Sequence, residues 1–304
     1  MNKIFKKVTL FVAMIMAVCA ISVATSTEAK AYTTITVRQT AQTTSTVTIA
    51  WNAVPGANQY VVSDGYDPIA VVTSTSYTLQ LVTAQAGYQD YIYVYAYSGS
   101  SKVGSGYTKV TTAPVISNVS LYQWAAGTTT PVFSFTGNNK VTPTGVEVEL
   151  KNAKKKLIKV VDVNFSSYAT VNAGGSIKNA SFIMRARPYY TINGVKIYGA
   201  WTAPKAYVAQ PKVTGKSRKE YYSKSRTISI KWPKIKGAKS YTVYRSTKRD
   251  GKYKKVGTTT KNTFSQSVNY YSTYYYYVKA NKVNVGGKKM STTLGEVHNI
   301  AVSY

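Results

Sequence analysis

Apolar and polar residues alternate along most of this chain with a period of two, the signature of half-buried strands. Val47, Ile49 and Trp51 share one face of a predicted strand, and Ile228, Ile230 and Trp232 share one face of another. After each Trp comes a short Gly-containing segment and then a second alternating run, opening at Tyr60 in one case and at Tyr241 in the other. The two stretches are copies. Trp51, Val54, Gly56, Ala57 and Tyr60 stand in register with Trp232, Ile235, Gly237, Ala238 and Tyr241. A repeat of this kind means that one small fold is used more than once. Strand, tight turn and strand, with an inward Trp and an inward Tyr, is how a β-sandwich covers its core.

The later part of each copy repeats as well. Ile92, Val94 and Ala96 alternate in the first, Phe182, Met184 and Ala186 in the middle, and Tyr274, Tyr276, Val278 and Ala280 in the last. These are read as one equivalent inner strand in each. The middle copy lacks the Trp of the repeat, and Phe133 or Phe135 takes its place on an early strand at 131–135, with the next strand at 145–150. Nothing helical stands out, because Thr, Val, Tyr and Ile dominate and Gly, Asn, Ser and Pro interrupt at short intervals. Pro114 and Pro211 each open a first strand after a short linker, which sets boundaries near 113 and 210. The expected organisation is a leader over 1–31 and sandwiches over 32–113, 114–210 and 211–304.

The last copy carries further signals. Tyr244-Arg245-Ser246 is followed by Gly251, Tyr253 and Val256, and then by Tyr274, Tyr276, Val278 and Ala280. In the middle copy, Arg185 to Trp201 reads as a closing hairpin turning at Asn193-Gly194. With these motifs the chain resembles the fibronectin type III family, in the form common in secreted Gram-positive bacterial proteins. The resemblance covers residues 32–304, most closely in the last copy and least in the middle one. It implies a seven-stranded, two-sheet immunoglobulin-like sandwich per copy, used as a spacer or a binding module, and it implies no reaction.

The amino terminus bears on where the protein works. Lys3, Lys6 and Lys7 precede an apolar stretch over 8–23, and Ala29-Lys30-Ala31 offers a small-x-small cleavage pattern, so a mature start near Tyr32 is expected. A retained anchor and a lipoprotein at Cys19 are the alternatives, the second a poor fit because Val18 precedes the cysteine. Cys19 is the only cysteine, so residues 32–304 offer no disulfide, thiolate metal site or cysteine nucleophile. The ending over 297–304 shows no sorting motif, apolar span or basic tail, so the expectation is either non-covalent association with the wall or release of the protein.

Charge separates the copies. The whole chain has a net charge of +29, yet residues 32–113 are balanced at three basic and three acidic. Residues 114–210 carry +8, and residues 211–304 carry +18 with only three acids. Such a field draws polyanions from beyond a Debye length. Lys234, Lys236, Lys239, Lys252, Lys254 and Lys255 flank the Trp–Tyr turn and the following strand and are the candidate polyanion-binding residues. General solubility is the competing explanation, but a mixture of both signs would serve it better.

Catalysis has little to draw on. Asp64 and Asp67 share a loop, and Glu147 and Glu149 share a strand face, read as a solvated face balancing nearby lysines. His298 is the sole histidine, which leaves Ser–His and multi-His arrangements without partners. Tyr91, Tyr93, Tyr95 and Tyr97, and again Tyr275 and Tyr277, point outward by alternation. Cross-strand packing is the preferred account of them, and stacking on sugars or bases is the alternative. The sequence thus describes a secreted, non-enzymatic bacterial surface protein. It is expected to be a monomer without a membrane span or cofactor, holding an anionic cell-wall polymer or glycan through its basic last copy. Accessory modules of carbohydrate degradation and passive spacers are the rivals, and protein partners stay open.

Overall fold

The computed structural model describes residues 32–81, 83–125, 127–219, 224–294 and 299–302. The leader at 1–31 and His298 lie outside them. Among the described residues every regular element is a β-strand apart from one 3-10 turn at Gly175–Ile177, and no helix is long and apolar enough to cross a membrane. Its sheets have the seven-strand, two-layer arrangement of a fibronectin type III-like sandwich. The chain clusters into two compact units. Unit 1 holds the described residues up to Val115 with Asn138–Thr144 and Pro188–Ala200, and unit 2 holds Ile116–Gly137, Gly145–Arg187 and the described residues from Trp201 onward.

In unit 1, Val37–Gln42, Thr46–Trp51 and Ser76–Gln80 form one layer. Ser101–Thr111, Gln89–Ser98, Gln59–Ser63 and Pro68–Val72, in that order across the sheet, form the other. The expected faces are borne out: Val47, Ile49, Trp51, Ile92, Val94 and Ala96 are buried between the layers. A parallel strand, Thr33–Thr34, joins the edge strand Ser101–Thr111 opposite Gly104 and Ser105. It can do so because the edge strand is bare there. A Cβ on Gly106 would stand 1.9 Å from the Ile35 carbonyl oxygen, and one on Gly104 would stand 2.6 Å from that of Thr33. The hairpin turn at Asn193-Gly194 has positive φ at both residues (50° and 79°), as a type I′ turn requires.

Unit 2 contains two further pairs of sheets. One pairs Asn118–Gln123, Val132–Thr136 and Ala169–Thr170 with Leu157–Val163, Gly145–Asn152 and Ser181–Ile192. Here the closing strand is split: Lys205–Val208 pairs with Ser181–Met184, and Val195–Tyr198 pairs with Tyr189–Ile192 in the hairpin that falls in unit 1. Phe133 and Phe135 both point inward, and the core Trp comes from Trp124, edge-on to Phe182 at 4.8 Å. The other pair sets Thr214–Lys219, Ser225–Lys231 and Thr263–Asn269 against Lys254–Thr259, Ser240–Ser246, Tyr274–Asn281 and Ile300–Val302. Lys254–Thr259 and Thr214–Lys219 are edge strands. One continuous body of buried side chains, from Val119 to Val302, runs through both pairs. Backbone bonds cross between them: Thr293 N–H to the Val208 carbonyl at 3.0 Å, Lys236 N–H to Asn179 at 2.9 Å and Gly286 N–H to Ala153 at 2.8 Å.

The repeated corner has the same geometry in both units. Trp51 meets Tyr60 at 5.5 Å and 63°, and Trp232 meets Tyr241 at 5.4 Å and 63°. Each tyrosine hydroxyl accepts a buried backbone N–H from the turn, Val54 at 3.0 Å and Ile235 at 2.9 Å. The repeated Gly stands at a positive φ, 76° at Gly56 and 83° at Gly237, a conformation that L side chains rarely adopt. One hydroxyl thus satisfies an otherwise stranded donor while its ring fills the core, which is why Trp, Gly and Tyr recur at this spacing.

Candidate binding surfaces

All six candidate lysines are exposed, and none stands within 4 Å of a carboxylate among the described residues. They form two groups rather than one. Lys234, Lys236 and Lys239 lie in the turn before Ser240–Ser246, close to the Tyr241 end, where Tyr241 pairs with Thr259. Lys252, Lys254 and Lys255 belong to the far end of the edge strand, where Lys255 pairs with Tyr244 and Lys254 with Arg245. At about 3.3 Å per residue the two groups are roughly 15 Å apart along the strand. Beside the first group is a groove of about 210 Å³ lined by Lys234, Tyr241, Thr260, Lys261, Asn262 and Thr263. Lys261 was not among the sequence candidates. It sits on a turn far from Lys234 in sequence, and only strand pairing brings the two together.

The acids serve local structure. The Asp64 carboxylate accepts the backbone N–H groups of Tyr66 (3.0 Å) and Asp67 (2.8 Å), closing the loop around Gly65. Glu147 and Glu149 share a strand face, and Lys151 balances Glu149 at 2.8 Å as expected, but the two side chains are largely covered rather than solvated and two arginines are their main partners. Arg185 forks onto Glu149 at 2.8 and 2.9 Å, and Arg187 donates to Glu147 at 2.8 Å. Trp201 lies across both guanidinium groups, 4.4 Å from Arg185 and 4.5 Å from Arg187. The Arg185 hydrogen bond, helped by Lys151, holds the Glu149 carboxyl below its usual range despite partial burial. The segment between the two halves of the split closing strand carries Trp201 onto this ladder, a placement that strand alternation alone does not reveal.

The two tyrosine faces differ. In unit 2, Tyr244 and Tyr277 stack at 4.8 Å with planes 10° apart, and Tyr253 covers Tyr277 at 5.0 Å, leaving it only 9% exposed. That is cross-strand packing, as expected. In unit 1, Tyr93 stands 6.4 Å from Tyr95 with planes 12° apart and 5.4 Å from Tyr107, while Tyr91 and Tyr107 remain 47% and 63% exposed. Thr34, Ile35, Tyr93, Tyr95, Ser105, Gly106 and Tyr107 line a shallow groove of about 420 Å³ there.

No family model and no curated protein sequence matches this chain. Among solved structures, the FN1–FN3 domains of chicken CNTN1 align over 88% of this chain and 98% of that one, at 12% identity and a TM-score of 0.28.

Proposed function

We propose that this chain is a secreted, non-enzymatic bacterial surface protein of three sandwiches, with boundaries near 113 and 210. Its basic region, 211–304, would hold an anionic cell-envelope polymer without a covalent link. The observation that carries this reading is the net charge of +18 over those residues, with the six lysines exposed and without carboxylate partners among the described residues. An unbalanced charge of this size repels itself and costs stability, so it calls for an external counter-charge. Two lysine groups set roughly 15 Å apart suit a flexible polymer with repeated phosphates better than a compact anion. The Lys234–Lys261 groove offers one place where a single phosphate could sit.

The test is sedimentation of residues 32–304 with purified cell walls, with and without teichoic acid, over a salt series. If about six phosphates are neutralised, affinity falls roughly a thousandfold between about 50 and 200 mM salt, by analogy with nucleic acids. Reversing Lys234, Lys236 and Lys239 to Glu should remove half or more of that salt slope, and reversing Lys252, Lys254 and Lys255 should do the same. Binding that survives high salt and both reversals would overturn the proposal.

A further inference from the structure

The outer face of unit 1 holds more exposed aromatic surface than a sandwich needs. Strand Gln89–Ser98 places Tyr91, Tyr93, Tyr95 and Tyr97 on that face, and strand Ser101–Thr111 adds Tyr107 directly opposite Tyr93. Rings two residues apart on a strand recur about every 6–7 Å, and the observed Tyr93–Tyr95 spacing of 6.4 Å with planes 12° apart keeps that period. Were the rings serving only to pack on one another, they would be covered, as Tyr277 is in unit 2. Instead Tyr107 is 63% and Tyr91 47% exposed, and the groove beside them is open. The face is also firmly held. Gly65, at φ +92°, lets its loop pass under Tyr93, where a Cβ would come within 2.9 Å of the ring. Ser63 Oγ and the Asp64 carboxylate then tie that loop down.

We propose that this tyrosine face is a binding platform for an extended, neutral, β-linked polysaccharide. Three features select that occupant. Near-parallel rings 6.4 Å apart at Tyr93 and Tyr95, with Tyr91 and Tyr107 beside them, suit a polymer of flat units, and a β-linked pyranose chain is a ribbon whose C–H faces lie on such rings while phenol and Ser105 hydroxyls meet its edges. Charge gives a polyanion little to hold here: residues 32–113 are balanced, the loop carrying Asp64 lies against Tyr93, and the lysines on the face are Lys102, over Tyr95 at 4.7 Å and Tyr32 at 5.8 Å, and Lys109, opposite Tyr91. Single-strand nucleic acid platforms combine stacking with a groove lined by many cations, whereas this face has two, Lys102 opposite Tyr97 and Lys109 opposite Tyr91. A peptide strand cannot add to Gln89–Ser98, which bears four of the five tyrosines, because that strand already pairs on both sides, with Gln59–Ser63 and Ser101–Thr111. The platform is independent of the lysine groups, so it stands or falls apart from the polymer reading above.

The experiment is calorimetric titration of residues 32–304 with cellohexaose and with chitohexaose at high salt, which silences the lysines. At least one hexaose should bind saturably. Tyr107→Ala and Tyr91→Ala should each weaken binding about tenfold, the scale of one lost aromatic stack. Tyr107→Trp should retain it, and the Lys234, Lys236 and Lys239 reversal should leave it unchanged. Because Tyr107 is largely exposed, its Ala variant should keep the wild-type melting temperature, which separates lost contact from lost fold. Absence of binding to either hexaose would sink the proposal, as would binding indifferent to Tyr107→Ala. It would equally fail if Tyr107→Ala abolished only poly(U) binding, or only self-association in sedimentation.

Discussion

Trp232→Ala is the sharpest test of how unit 2 holds together. The indole is 2% exposed, edge-on to Tyr241, and belongs to the core that continues into the preceding pair of sheets. Emptying that space should cost roughly 3–5 kcal/mol, a large part of the about 5–15 kcal/mol that holds a typical domain. Trp232→Phe separates packing from polarity. The buried indole N–H has no hydrogen-bond partner among the described residues, so removing it returns a desolvation penalty of about 1–3 kcal/mol against the smaller cavity that Phe leaves. The Phe variant should therefore lose less than about 2 kcal/mol. Urea unfolding measures both values, and hydrogen exchange read by mass spectrometry locates the damage. A boundary near 210 acting alone would let the last sandwich fail by itself. The continuous core instead requires peptides from 116–137, 145–187 and 201–302 to lose protection together, with those from 32–115 unaffected. Loss confined to 211–302, loss throughout the chain, or an Ala cost below about 1 kcal/mol would refute this reasoning.

Gly106→Ala should push its new Cβ onto the Ile35 carbonyl oxygen, only 1.9 Å from where that atom would stand. The expected result is release of strand Thr33–Thr34, seen as lost amide protection there, at a cost of about 1–3 kcal/mol. Burial pushes the Tyr190 and Tyr207 hydroxyls up to about 12, against about 10 in the unfolded chain. Their contribution to stability is complete below about pH 10 and is lost as the pH rises through about 12, because the unfolded chain gives up these protons first. A tyrosinate absorbance titration should show a late fraction coinciding with unfolding, and complete titration near pH 10 with the fold intact would contradict it.

Much of the fold was legible because alternation and the Trp–Tyr repeat report which face of a strand is buried. Val47, Ile49, Trp51 and their counterparts at Ile228, Ile230 and Trp232 needed nothing more. What escaped was what lies across from a face. Trp201 reaches Arg185 and Arg187 by a detour in a split strand, and the parallel pairing of Thr33 with Gly104 spans the whole sandwich with no local signal. Glu147 and Glu149 stand on the expected face and Glu149 has a lysine neighbour in Lys151, but Arg185 and Arg187 come from the adjacent strand, which alternation does not report. The lysines were identified as outward-pointing, but strand register decides that they form two groups, and it alone adds Lys261 to the first. Phe133 and Phe135 were offered as substitutes for a missing Trp, and the chain supplies both together with Trp124 from another strand.

The edge strand Lys254–Thr259 leaves a row of backbone N–H and C=O groups without a neighbouring strand, and such rows invite pairing with another molecule. Lys254 and Lys255 stand on it, as Lys216 and Arg218 stand on the edge strand Thr214–Lys219, and mutual repulsion of these charges would oppose edge-to-edge pairing between copies. A polyanion that neutralised these side chains would remove the repulsion at the very place where it gathers many copies together. Edge-to-edge joining would then be favoured on a polymer-coated surface and disfavoured away from it. Replacing the lysines with Glu would preserve the repulsion between copies while removing any attraction to a polyanion, whereas replacing them with Thr or Val would leave bare edges prone to aggregate without any surface at all.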